Sequence, residues 1–111
     1  MITRYALFEG TVHPGQTKAF RAAVMAEMLP VWRRFPGALA IHVTFGDDRD
    51  AGAPEYPLIL AIDWPDRATV DAFLDHPIRM EGRAATEAVL SRFFTGRIHH
   101  HITTANSFAP V

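Results

Sequence analysis

Three short segments of the sequence are almost continuously apolar, and they constrain the fold more than any other feature. They are Tyr5–Phe8 (YALF), Leu39–Ile41 (LAI) and Leu58–Ile62 (LILAI). Apolar runs of this length, bounded by turn residues, favour strands over helices. A sheet with one face in water alternates apolar and polar residues, whereas these strands do not alternate. The sequence therefore predicts a sheet that is covered on both faces.

The predicted elements follow the order strand, helix, strand, strand, helix, strand. We expect the strands at Met1–Val12, Ala38–Phe45, Leu58–Trp64 and Thr95–Thr103. Helical spacing of apolar residues predicts long helices over Gln16–Phe35 and Ile78–Phe94, with a short helix capped by Asp66 before the second. Pro30 lies inside the first helix and has no N–H to donate to the Ala26 carbonyl, so we expect a kink or a final separate turn there.

This order predicts an α+β fold, the ferredoxin-like βαββαβ sandwich, with a four-stranded antiparallel sheet and the helices on one face. Strands one and three would be central. Two crossover helices can cover only one face, so we expect a second copy of the chain to cover the other, as a homodimer. The alternative is that the chain's own tail, residues 104–111, which we expect to be loose, shields that face.

Composition narrows the possible chemistry. The chain has 111 residues, which fits a single domain over 1–111, and it has no cysteine, so disulfides and thiolate catalysis are excluded. The chain has six histidines and twelve acidic residues, so acid–base chemistry is the type of reaction for which it has the most side chains. The net charge is −1 with both signs mixed along the chain, which argues against a nucleic-acid partner. No apolar run is long enough to span a membrane and no signal segment opens the sequence, so we expect a cytoplasmic protein.

Several short motifs carry a resemblance to a known family. The stretches Glu27–Val31 (EMLPV) and Arg33–Gly37 (RRFPG) lead into a strand, Trp64–Asp66 (WPD) leads into a short helix, and Asp75–Pro77 (DHP) breaks it. In these features the chain resembles the EthD-type branch of the dimeric α+β barrel proteins. Related branches include small antibiotic-biosynthesis monooxygenases and stress-responsive barrel proteins.

The resemblance implies a ferredoxin-like subunit that pairs sheet to sheet, with a mostly apolar pocket between sheet and helices. Members are similar to cofactor-independent oxygenases, cyclases and decarboxylases, or are proteins of unassigned role, acting on small hydrophobic compounds. It implies no cofactor, and no haem, because the axial histidine of haem-degrading relatives would fall near Gly82. EthD-type sequences usually have a histidine where this chain has Met28.

Four residues are candidates for proton transfer. Glu27 lies close to the apolar stripe of the first helix, where burial would raise its pKa, unless it turns to water or pairs with Arg34. His42 and Asp63 lie on strands predicted to be neighbours, where a carboxylate could orient the imidazole, unless both point outward. His76 precedes the helix break, where it either serves the pocket or bonds a free backbone carbonyl.

Further residues are candidates for binding. Arg79 could hold a carboxylate or an enolate oxygen. Phe8, Phe20, Val24 and Phe73 are core residues by pattern that would also line a pocket. The run His99–His101 places its outer members on one strand face, but zinc needs a third ligand, and we expect no metal. Two functions stay open: a cofactor-free enzyme for a small hydrophobic carbonyl or phenolic compound, or a non-catalytic dimer that binds such a compound or supports a partner enzyme.

Overall fold

The computed structural model describes all 111 residues as a four-stranded sheet with helices on one side. The strands are β1 (Ile2–Val12), β2 (Ala40–Phe45), β3 (Leu58–Trp64) and β4 (Phe94–Thr104). The helices are α1 (Thr17–Ala23), a π-helical segment (Val24–Met28), α2 (Leu29–Trp32), α3 (Arg67–Leu74) and α4 (Ile78–Phe93). None of these helices has both the length and the apolar character needed to cross a bilayer.

The sheet has the strand order β2-β3-β1-β4, and each neighbouring pair is antiparallel. The two central strands are β1 and β3, as the sequence predicts, and the architecture is the predicted ferredoxin-like α+β fold. Asp66 caps α3 by accepting hydrogen bonds from the Thr69 backbone N–H at 2.8 Å and from the Thr69 hydroxyl at 2.7 Å. This cap confirms the helix start read from the sequence.

The first helix is interrupted before Pro30, and Leu29–Trp32 form a separate final turn, which is one of the two outcomes expected from the sequence. The backbone N–H of Leu29 bonds to the Val24 carbonyl, five residues back, so the turn before Pro30 is wider than an α-helical turn. A π-helical turn of this kind accommodates a proline, which has no backbone N–H to donate to the preceding turn. The helical segment ends at Trp32 rather than at Phe35.

The core lies between the sheet and the helices. Strand register places Phe8 opposite Leu58 and Ala6 opposite Leu60, and these side chains face the helices and are buried. The other sheet face is uncovered by any helix of the chain. Its centre holds Tyr5, Leu7, Ile59 and Ala61, all half-buried. The tail after Thr104 has no regular structure and is mostly exposed, with Phe108 89% exposed, so it does not shield this face.

Candidate functional site

A cavity of about 410 Å³ opens between the sheet and the helices. Its walls are mainly aromatic and aliphatic, and they come from the central strands and from the helices that cross them. The principal apolar lining residues are Phe8, Trp32, Phe35, Leu60, Phe73 and Leu90. An apolar concave site with a few polar groups is the usual form of a small-molecule site.

Five basic side chains line the cavity beside its apolar wall. Arg83 and Arg97 are paired with Glu87 and Glu9, whereas three have no acidic partner: Arg4 from β1, Arg79 from α4 and His100 from β4. Strand alternation explains two of them. Arg4 lies on the same face of β1 as Phe8, and His100 lies opposite Ala6 in the register of β1 with β4. The Arg4 guanidinium lies 5.8 Å from the centre of the Phe73 ring, at the distance of a cation–π contact.

The cavity changes the proton affinity of these groups. Burial, and then the nearby charge of Arg79, lower the pKa of Arg4 to about 10, so Arg4 remains charged at neutral pH. Partial burial, followed by the charges of Arg4, Arg79 and His99, lowers the pKa of His100 to about 4. His100 is therefore a neutral imidazole at pH 7, with one nitrogen free to accept a proton or a hydrogen bond.

Two of the positive charges on the cavity wall have no acidic partner. Neither Arg4 nor Arg79 takes part in an ion pair of the chain. Arg79 reaches only the Leu74 carbonyl, at 3.4 Å. Glu87 also lines the cavity, but its carboxylate is paired with Arg83 at 3.1 Å. The cavity can thus accept negative charge from a ligand.

His42 and Asp63 do come together, as predicted, but outside the cavity. The Nε2 of His42 is 2.9 Å from Oδ2 of Asp63, and the Thr3 hydroxyl donates to Oδ1 of the same carboxylate at 2.7 Å. All three residues lie on the sheet face that the helices leave open, since register pairs Thr3 with Asp63 and His42 with Ala61. A catalytic role for this pair stays a prediction, and it would act on the open face.

Glu27 is not buried, so that part of the expectation is wrong. Its side chain is 44% exposed and is paired with Arg92 of α4, while Arg34 pairs with Glu81 instead. The wider π-helical turn that contains Glu27 alters the angular spacing on which the helical-wheel argument depended. Glu27 is not among the residues that line the cavity.

His76 is exposed at the break between α3 and α4. Its Nδ1 accepts a hydrogen bond from the backbone N–H of Ile78 at 3.0 Å, so it satisfies a helix-terminal donor rather than the carbonyl considered from the sequence. The residue does not line the cavity. As for Glu27, its catalytic role stays a prediction.

The predicted binding residues divide between different places. Phe8, Phe73 and Arg79 line the cavity. Phe20 lines a separate cleft beside the acidic loop that follows β2, and Val24 is completely buried in the core.

Sequence reasoning missed Arg4 and His100. For Arg4 a signal was present, because alternation puts this charged residue on the strand face that also carries the core residue Phe8. For His100, the alternation predicted within the triple-histidine run is confirmed, with His99 and His101 on the open face. No group of three or more metal-binding side chains is arranged to hold an ion.

Comparison with solved structures identifies the fold. The chain is similar to an ethyl tert-butyl ether D (EthD) family protein from Bacillus halodurans, with 17% identity and a TM-score of 0.69 over 96% of this chain and 99% of that one. It is also similar to SnoaB, a cofactor-independent oxygenase from Streptomyces nogalater, with 20% identity and a TM-score of 0.62 over 99% and 97%. A third relative is a dimeric ferredoxin-like protein of unknown function from Thermobifida fusca, with 21% identity and a TM-score of 0.60 over 94% and 90%.

No protein-family model and no curated protein matches the sequence. At these identities the likeness establishes the fold and not the activity. The chain has the ferredoxin-like α+β fold that EthD proteins share with the antibiotic biosynthesis monooxygenases, in agreement with the resemblance seen in its sequence motifs.

Proposed function

We propose that the cavity binds a small hydrophobic carbonyl or phenolic compound and supports cofactor-free acid–base chemistry on it, of the oxygenase, cyclase or decarboxylase type. The observation that carries the proposal is the neutral His100 on the wall of a cavity that combines aromatic and aliphatic side chains with arginines. Likeness in fold to a cofactor-independent oxygenase supports the same class of chemistry.

The chemical argument follows from the charges. An acidic C–H or O–H next to a carbonyl leaves negative charge on oxygen when its proton is removed. A guanidinium such as that of the half-buried Arg4 or the exposed Arg79 stabilises this charge. The imidazole of His100 is uncharged in the free protein and can accept the proton. The charges of Arg4 and Arg79 help to lower its pKa, and the negative charge left on the substrate offsets their repulsion of the imidazolium.

We further propose that the functional unit is a homodimer. The open sheet face has an apolar centre, formed by Tyr5, Leu7, Ile59 and Ala61. Isologous packing of this face on a second copy would remove these side chains from water. The similar Thermobifida protein is described as dimeric, which supports this arrangement.

A panel of phenols, quinones and 1,3-dicarbonyl compounds tests the proposal by thermal shift, followed by oxygen uptake and product analysis for each compound that binds. A ligand present at 100 times its Kd stabilises the fold by about 2.7 kcal/mol. Ala6→Leu places a larger side chain in the cavity and should abolish the shift. The matched control Ala72→Leu, on the exposed face of α3, should retain it. If no compound binds, or if binding is indifferent to Ala6→Leu, the proposal is wrong.

One observation favours a binding protein without catalysis as the second candidate. Met28, which stands where EthD-type sequences usually have a histidine, is completely buried in the core and cannot transfer a proton. His100→Gln separates the two candidates. An enzyme should lose activity by about 10²- to 10⁴-fold while still binding its ligand. A binding protein shows no turnover to lose.

A further inference from the structure

We propose that Arg4 and Arg79 together form a carboxylate-binding site, so that the ligand of the cavity is an organic acid with a flat apolar body. The inference rests on the proposed function, since it concerns the same cavity, but it goes further by assigning the chemical class of the ligand. It also assigns a role to Arg4, which none of the sequence motifs singles out.

The first argument is the missing counterion. Arg4 and Arg79 lie close enough for the charge of one to lower the pKa of the other, and both line the same cavity. Seven of the eight arginines outside this pair have acidic partners, as Arg34 has Glu81 and Arg67 has Asp71, and the exception is the exposed Arg33. Two like charges side by side repel each other, and an anion bound by both adds two attractions that outweigh this repulsion. A ligand that is ionised before it enters gains most from such a site.

The second argument is the way Arg4 is held. The central carbon of its guanidinium lies over the ring of Phe73, 5.8 Å from the ring centre, at the distance of a cation–π contact. This contact engages no N–H group of the guanidinium in a salt bridge, and the N–H groups of a guanidinium match the two oxygens of a carboxylate. Phe73 is itself buried and packed against Trp64 at 4.9 Å between ring centres, so the platform under Arg4 is fixed.

The third argument is the rest of the wall. Beyond the basic groups, Thr86 and Glu87, which is paired with Arg83, the large lining side chains are apolar: Phe8, Trp32, Phe35, Leu60 and Leu90. Inorganic anions or small hydrophilic acids would leave these surfaces without contact. An aromatic or alicyclic body attached to the carboxylate would bury them, and the area removed from water adds to the affinity.

Isothermal titration calorimetry with 2-naphthoate and its neutral analogue 2-naphthamide tests the assignment on the intact protein. The two compounds have the same apolar body and differ in charge. We expect naphthoate to bind at least about tenfold more tightly, a difference of about 1.4 kcal/mol. Arg4→Gln and Arg79→Gln should each remove most of this preference, because they weaken naphthoate binding much more than naphthamide binding. The control Arg33→Gln removes an exposed arginine without an ion pair, away from the cavity, and should keep the preference.

Equal affinity for the two compounds, or no binding of naphthoate, overturns the carboxylate assignment. So does an equal loss of both affinities in the arginine variants. If a variant fails to fold, the affinities of the unmodified protein for the two compounds still test the assignment. Added potassium chloride should weaken naphthoate binding and spare naphthamide binding, and an equal effect on both contradicts the assignment. If naphthamide binds as tightly as naphthoate and Ala6→Leu abolishes that binding, this inference alone is refuted. If no compound of the whole panel binds, the proposed function is refuted.

Discussion

The Nε2 of His42 lies 2.9 Å from Oδ2 of Asp63, on the sheet face that no helix covers. Asp63 also accepts a hydrogen bond from the Thr3 hydroxyl, so one carboxylate links the edge strand β2 and the central strand β1 to β3. Burial raises the pKa of Asp63, but the hydrogen bonds from His42 and Thr3 and the charge of His42 outweigh it and hold the pKa below its ordinary value of 3.8. The contact is a fixed polar link within the sheet.

Replacing Asp63 with asparagine should destabilise the protein by about 1–3 kcal/mol at pH 7, because hydrogen bonds to a charged group are lost. A lowered folded-state pKa gives stability that is present above the unfolded-state value and lost as the pH falls through the folded-state value. The difference between the two proteins should therefore shrink below pH 4. Urea denaturation at pH 7 and pH 3 measures it. Asp71→Asn, which breaks a surface pair with Arg67, is the control and should cost less than about 0.5 kcal/mol. A pH-independent difference contradicts the argument.

Sedimentation equilibrium should give a mass of twice 12.4 kDa at micromolar concentration, because the apolar centre of the open sheet face is removed from water in a dimer. Ile59→Asp places a charge in that centre and should yield a monomer. Met80→Asp changes an equally apolar side chain that is 61% exposed on α4, on the other side of the sheet, and should remain dimeric. A monomeric unmodified protein refutes the proposed assembly.

Gly37→Ala should destabilise the fold by more than about 1 kcal/mol. The φ of Gly37 is +85°, and an added Cβ would lie 2.3 Å from the Cγ2 of Thr69 on α3. Gly52 has nearly the same φ, +82°, but an added Cβ there meets nothing within 4 Å. Gly52→Ala therefore measures the backbone cost alone, and thermal unfolding of both variants isolates the steric part. Equal losses would mean that Thr69 moves aside freely.

Acid should destabilise the protein through His100. Its pKa is about 4 in the folded protein against 6.5 in the unfolded chain, so the folded state binds fewer protons between these values and stability falls as the pH decreases from 6.5 to 4. Around the ring are Arg4 from β1, Arg79 from α4 and the neighbouring His99, with Arg83, Glu87 and Arg97 on the same cavity wall. His100→Gln should flatten the dependence of Tm on pH in this range. An unchanged dependence would mean that other groups cause it.

Much of the fold could be predicted from local patterns. The apolar runs and the turn residues around them predicted three of the four strands, and Asp66 marked the start of α3, because strand propensity and helix capping depend on side chains close together in the sequence. The π-helical turn before Pro30 could not be predicted in this way. Proline indicates a missing donor, but packing decides whether the helix bends, breaks or widens its turn.

The candidate site depended more on tertiary structure. Sequence distance does not reveal that Arg4 and Arg79, which lie far apart in the chain, come to share one cavity without an acid between them. Nor does it reveal that Glu27 forms an ion pair with Arg92. These contacts depend on how the helices lie across the sheet. That arrangement results from many weak packing interactions.

The sequence by itself determined the order of the elements, the antiparallel sheet with β1 and β3 in its centre, and the excess of apolar surface over what one layer of helices can cover. It did so because alternation and its absence are properties of neighbouring residues. Only the tertiary structure decided which polar side chains meet. It placed His42 and Asp63 on the open face and gathered Arg4, Arg79 and His100 around the cavity, since such meetings depend on strand register and on the angle at which helices cross the sheet.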